Sequence, residues 1–86
     1  MHIEVYGRPM CDACEATINL IERVGVAYNY HNIEQMSSDE LTELMTRKSP
    51  ETRTVPIIFV DGRQLGDINE LREFFEFKGK STEILG

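Results

Sequence analysis

Cys11 and Cys14 are the two cysteines of the chain, with only Asp12 and Ala13 between them. A bridge between residues so close closes almost no loop, so it would stabilise a fold little. Its use is chemical. A thiol with an ordinary pKa near ~8.5 is only a few per cent thiolate at neutral pH, and the thiolate is the form that attacks a disulfide. A Cys at the start of a helix meets unpaired backbone N–H groups and the positive end of the helix dipole, and both favour the anion. Arg8, just upstream, adds a positive charge, whereas the carboxylate of Asp12 opposes a second negative one. The expected balance favours the Cys11 thiolate. Cys14 falls one turn deeper, on the side of Ile18 and Ile21, and is expected to be the less accessible of the two. The spacing therefore assigns Cys11 as nucleophile and Cys14 as the resolving thiol, with a Cys11–Cys14 disulfide as the oxidised state. The bland alternative is an incidental pair of small helix residues. A metal alternative lacks ligands, because zinc usually takes four and only His2 and His31 remain, both on expected strands. His31 reads as a strand residue with ordinary hydrogen bonds.

The elements that must position this pair are legible from period and punctuation. His2–Tyr6 alternates, with Ile3 and Val5 on one face, and is stopped by Gly7 and Pro9. Asp12–Val24 carries apolar residues at helical spacing in two sets, Ala13, Leu20 and Val24, and Cys14, Ile18 and Ile21, with Gly25 as C-cap. Ala27–Ile33 is a second strand, parallel to the first because a helix intervenes. Ser37 and Glu40 form a capping box ahead of a helix carrying Leu41, Leu44 and Met45 to about Lys48. After a loop through Ser49–Arg53, Val55–Val60 is a strand opened by Pro56. Asp61-Gly62 signals a hairpin, and Arg63–Leu65 returns antiparallel. Asp67 and Glu70 form a second capping box before a helix of Ile68, Leu71, Phe74 and Phe75, ending near Gly79. Residues 80–86 are expected to fray.

The order β-α-β-α-β-β-α implies an α/β fold with a mixed four-stranded sheet flanked by three helices. It places Cys11 at the carboxyl end of a strand, where such sheets put their ligands. The 86 residues suit one domain, residues 1–86. A net charge of -6 leaves no basic surface for nucleic acid. No apolar run spans a membrane. The N-terminus carries no charged-then-apolar leader, so a cytoplasmic protein is expected.

The residues that carry this chemistry resemble glutaredoxin. The resemblance runs over residues 2–78 and rests on Gly7-Arg8-Pro9-Met10-Cys11-Asp12-Ala13-Cys14, Thr54-Val55-Pro56, Ile58-Phe59-Val60-Asp61-Gly62 and Leu65-Gly66-Asp67. It implies the thioredoxin-like fold and the short dithiol form carried by bacteria and bacteriophages. It further implies a cis Pro56 against the cysteines, leaving the Val55 backbone to pair with an extended substrate such as glutathione. Arg8, Thr54, Val55, Pro56, Asn69 and Glu70 are then the glutathione residues, Glu70 facing the γ-glutamyl ammonium. The implied activity is glutathione-dependent reduction of protein disulfides or glutathione mixed disulfides, without a metal, by a monomer. Ribonucleotide reductase is the family-level protein partner.

Three positions depart from the family pattern. Asp12-Ala13 replaces Pro-Tyr, Gly66-Asp67 replaces Gly-Gly, and Ile68 replaces an aromatic. Each bears on glutathione more than on fold. They favour an alternative, a thioredoxin-like donor reduced by a flavoprotein reductase. A further alternative is a binding module holding zinc or an iron–sulfur cluster.

Overall fold

The computed structural model describes residues 2–52 and 54–85, with side chains in the last helix described through residue 76. The four strands are β1 (Ile3–Gly7), β2 (Tyr28–Asn32), β3 (Ile57–Val60) and β4 (Arg63–Leu65). The three α-helices are α1 (Asp12–Val24), α2 (Ser38–Arg47) and α3 (Ile68–Leu85), with one 3-10 turn at Ile33–Gln35. The sheet order is β2-β1-β3-β4. β1 runs parallel to β2, with Val5 opposite Tyr30, and antiparallel to β3, with Val5 opposite Ile58. The mixed four-stranded α/β architecture expected from the element order is the one that forms.

Alternation on β1 and β3 sends side chains to two separate cores. Ile3, Val5, Ile58 and Val60 meet Ile21 and Leu71 on the side of α1 and α3. Tyr6, Ile57 and Phe59 meet Leu44 of α2 on the other. All four residues of β3 are buried, as a central strand covered on both faces requires. Burying one such side chain contributes roughly 1.5–3 kcal/mol. The two apolar sets on α1 are used unequally: Cys14, Thr17 and Ile21 are buried and Leu20 packs against the core in part, whereas Val24 is 45% exposed. Thr17 carries its polar atom inward because its hydroxyl donates to the Ala13 carbonyl at 2.8 Å.

Caps set most boundaries. Ser37 and Glu40 complete the expected capping box, exchanging hydrogen bonds at 3.2 and 3.0 Å. At α3 the expected second box is altered. Asp67 accepts the Glu70 N–H at 3.1 Å, but the Glu70 carboxylate reaches past Asp67 to the Gly66 N–H. Several boundaries differ from the expectation, β2 being one residue shorter at each end than Ala27–Ile33 and β1 starting at Ile3. β1 includes Gly7, because parallel pairing to Asn32 continues through it. β3 begins at Ile57, one residue after Pro56, which has no N–H to give the ladder. α3 stays helical past Gly79 to Leu85, since one Gly costs only ~1 kcal/mol in a helix. Of the expected loop and tail, Arg53 and Gly86 lie outside the described residues.

A polar cluster stands on the α2 side of the sheet. Arg47 pairs with Glu4 at 3.1 Å, lies 4.4 Å over the Phe59 ring and donates to the Tyr6 hydroxyl at 3.3 Å. His31 stacks on Tyr6 with ring centroids 4.5 Å apart. Its Nε2 is buried with no hydrogen-bond partner, which corrects the expectation of an ordinary strand histidine. Burial pushes the Glu4 carboxyl up, but the hydrogen bonds from Arg47 and His2 outweigh it and leave Glu4 below its ordinary 4.5. That stabilisation is complete above the ordinary value and is lost as pH falls through the lower folded one. Arg47→Gln should therefore cost about 1 kcal/mol at pH 7 in chemical denaturation. The gap to the parent narrows as pH falls below the ordinary carboxylate range, leaving the lost contacts with Phe59 and the Tyr6 hydroxyl. A gap independent of pH would show that Glu4 is not the partner that matters.

Candidate active site

The pair is positioned by the turn from β1 into α1. Met10, fully exposed, takes a left-handed φ of 56°, and this turn leads Cys11 into the N-cap position. Such a conformation costs roughly 1–2 kcal/mol for an L-residue, and nothing in the residue type announced it. Cys11 is extended, with φ -121° and ψ 106°, and its Sγ accepts the Cys14 N–H at 3.1 Å. One of the orphan donors of the helix start is thus aimed at the sulfur. Cys11 is half-buried, whereas Cys14 is 2% exposed. The two are joined as a disulfide, with Cα atoms 5.2 Å apart, inside the ordinary range.

Gly7 makes room for this arrangement. A Cβ on Gly7 would stand 2.9 Å from Cys14 Sγ and 3.0 Å from both Cε2 and the hydroxyl of Tyr30. In the sequence Gly7 signals only the end of a strand. Its larger role is to let the buried sulfur lie against the β1 backbone, with the Tyr30 ring beside it.

The Val55–Pro56 peptide bond is cis. Thr54, Val55 and Pro56 line a cleft of about 570 Å³ together with Ala13, which lies between the two cysteines in the chain, and with Gly66, Asp67 and Ile68. Its volume lies in the usual range of small-ligand sites. One wall is held by Gln64, which sequence reading treated only as a strand residue. Gln64 donates to the Thr52 hydroxyl at 2.7 Å and accepts the Ser49 N–H at 2.6 Å, tying β4 to the loop after α2. A second hollow of about 400 Å³ borders the same segment. It shares Thr52, Thr54 and Val55 with the first and carries Arg8 and Lys48.

The expected ligand residues are thus divided. Thr54, Val55 and Pro56 face the first cleft, Arg8 the second, and Asn69 and Glu70 line neither. Asn69 and Glu70 are exposed on the first turn of α3, and the Glu70 carboxylate is engaged with Gly66. Among the described residues, no group of three or more His, Cys, Asp or Glu is arranged to hold a metal ion.

This geometry can be set beside known proteins. The sequence model of the glutaredoxin family matches residues 3–65. A probable glutaredoxin of Synechocystis sp. is 28% identical over 69 residues, covering 80% of this chain and 76% of its own. The fold is similar to that of a buckwheat glutaredoxin–glutathione complex, at TM-score 0.71 and 21% identity, over 88% of this chain and 69% of that one. It is also similar to NrdH-redoxin from Escherichia coli, described as glutaredoxin-like with a thioredoxin-like activity profile. There the TM-score is 0.63 and the identity 22%, over 79% of this chain and 84% of that one.

Proposed function

The chain belongs to the glutaredoxin family of thiol-disulfide oxidoreductases, and from that premise we propose that it reduces protein disulfides and glutathione mixed disulfides with electrons from glutathione. The observation that carries the reading is the unequal pair: a half-buried Cys11 sulfur accepting a helix-start N–H, backed by a buried Cys14 one turn on. In the first step the Cys11 thiolate attacks one substrate sulfur, forming a mixed disulfide and releasing the other sulfur as a thiolate. The N–H of Cys14 stabilises the attacking anion. In the second step Cys14, as thiolate, attacks Cys11 Sγ, forming the Cys11–Cys14 disulfide and expelling the second substrate thiolate. Two glutathione molecules then return the pair to dithiol and leave as glutathione disulfide.

The cleft supports glutathione as the reductant. Val55 stands where an extended cysteinyl segment would run, with Thr54 and Pro56 on either side. Arg8 and Lys48, in the second hollow, offer charge to a carboxylate, and Asp67, in the first, offers charge to the γ-glutamyl ammonium. Such a dithiol works in a reducing compartment, so the reading includes a cytoplasmic monomer, with ribonucleotide reductase as the family-level protein substrate.

A second reading, electrons from a flavoprotein reductase, is favoured by the same Asp67, which also opposes the carboxylate of the γ-glutamyl group. One assay separates the two. The oxidised protein is supplied with either glutathione and its reductase or thioredoxin reductase, with one protein disulfide as acceptor. Sustained turnover with glutathione is expected. Turnover with the flavoprotein reductase alone would overturn the glutathione reading and leave the dithiol chemistry standing.

A further inference from the structure

Cys14 is buried, and among the described residues no hydrogen bond is made to its sulfur. A thiolate formed there has lost the water that would solvate its charge, so a protein donor placed beside it would speed the step that needs it. Tyr30 is such a donor. It pairs with Val5 as Asn32 pairs with Gly7, so its ring rises on the face of the sheet that α1 covers. The point that a Gly7 Cβ would occupy lies 2.9 Å from Cys14 Sγ and 3.0 Å from the Tyr30 hydroxyl. Hydroxyl and sulfur thus border one spot, and glycine at position 7 leaves it unfilled. The hydroxyls of Tyr6 and Tyr28 each donate to a glutamate, whereas that of Tyr30 has no hydrogen-bond partner among the described residues. β2 is an edge strand and Tyr30 is 39% exposed, so the ring has room to turn toward the sulfur.

We propose that Tyr30 is a positioning residue for the resolving step: its hydroxyl closes across the gap at Gly7 and donates a hydrogen bond to Cys14 as thiolate. This rests on the reading of Cys14 as the resolving thiol. In the step, Cys14 first gives its proton to water. The electron pair left on Cys14 Sγ forms the bond to Cys11 Sγ, and the bond from Cys11 to the substrate sulfur breaks with its pair leaving on that sulfur. Tyr30 keeps its own proton throughout. The disulfide carries no anion for the hydroxyl to meet, and in that state the two stand unbonded.

The test is the reaction of fully reduced protein with the symmetric disulfide of thionitrobenzoate, followed by stopped flow. Attack by Cys11 releases one coloured thiolate at a rate set by reagent concentration, and closure of the Cys11–Cys14 bond releases the second at a rate independent of it. Tyr30→Phe keeps the ring and removes only the donor. One hydrogen bond to a charged group is worth about tenfold in forming the thiolate, and the lower nucleophilicity that accompanies it returns about half of that gain on a logarithmic scale. The second phase of Tyr30→Phe is therefore expected to be about threefold slower at neutral pH, with the first phase unchanged. The gap should narrow as pH rises, because a Cys14 ionised in both proteins no longer needs the donor. Every charged side chain of α1 and, among the described residues, of α3 is exposed, as are Arg8 and Asp67, while Glu4, Tyr6 and His31 lie on the α2 face of the sheet. All are the same in both proteins, so a difference between the two pH profiles belongs to the hydroxyl. A second phase as fast as the parent's, a gap of equal size at every pH, or an equal slowing of both phases would overturn the proposal. Cys14→Ser tests the reading beneath it separately: a second, concentration-independent release from that variant would mean that Cys14 is not the resolving thiol.

Discussion

Cys11→Ser reduces disulfide reduction to the uncatalysed rate, because a serine hydroxyl is not ionised at neutral pH and cannot form or leave a disulfide. The helix-start donor remains, since Cys14 N–H still points at residue 11, yet it has no thiolate to hold. Fold stability barely changes in the reduced state, so the loss is one of chemistry. Cys14→Ser separates the two halves of the cycle. Its Cys11 thiolate still attacks, but the mixed disulfide persists until an external thiol releases it. Mass spectrometry of protein quenched with acid should find the substrate adduct on Cys11 in Cys14→Ser and none in Cys11→Ser. Equal reduction by Cys11→Ser and the parent would sink the assignment of roles. An adduct on Cys14 in the parent would reverse it.

Gly7→Ala is expected to be the most damaging single-methyl change near the site. The new Cβ would stand 2.9 Å from the sulfur of Cys14, a residue that is only 2% exposed and is tied to Cys11 by the disulfide. Tyr30, 39% exposed, can swing away from its 3.0 Å contacts, but Cys14 cannot follow it. Overpacking of this kind costs typically 1–3 kcal/mol, or roughly 5–15 °C in Tm for a domain of this size. The displaced sulfur also resolves more slowly, so the mixed disulfide should accumulate beyond the parent level. Gly25→Ala is the control. It puts a methyl in open space at a φ of 86°, so it carries only the left-handed backbone cost of about 1 kcal/mol. Comparing the two Tm values separates contact from conformation. A Gly7→Ala protein as stable as the parent would mean that the 2.9 Å contact is relieved at no cost.

The polar groups around the cleft show where sequence reading stops. Asp12–Val24 was legible to the residue because its signals are local: a Cys before an acidic first turn, a 3.6-residue period and a Gly beyond the end. The hairpin was legible for the same reason, since Asp61 and Gly62 both adopt positive φ. The end of α3 was not, because one Gly against seventeen other helical residues is a small term. Gln64 was invisible as a wall of the cleft, because its partners Ser49 and Thr52 lie 15 and 12 residues away. His31 was misread because its surroundings, Tyr6 above all, come from another strand.

Residue types and short spacings alone determined the elements, the identity of the reacting pair and the family it points to. Each of these rests on interactions within a few residues of chain, which a sequence displays directly. Tertiary structure decided which apolar face of α1 is buried, why position 7 must be glycine, and how the charges divide between two hollows. Arg8 and Asp67 are 59 positions apart in the chain and Lys48 stands between them in number. Their gathering into two hollows that share Thr54 and Val55 follows from pairing β1 with β3 in the middle of the sheet. That pairing depends on long-range burial, and no local pattern of residues encodes what it will bring together.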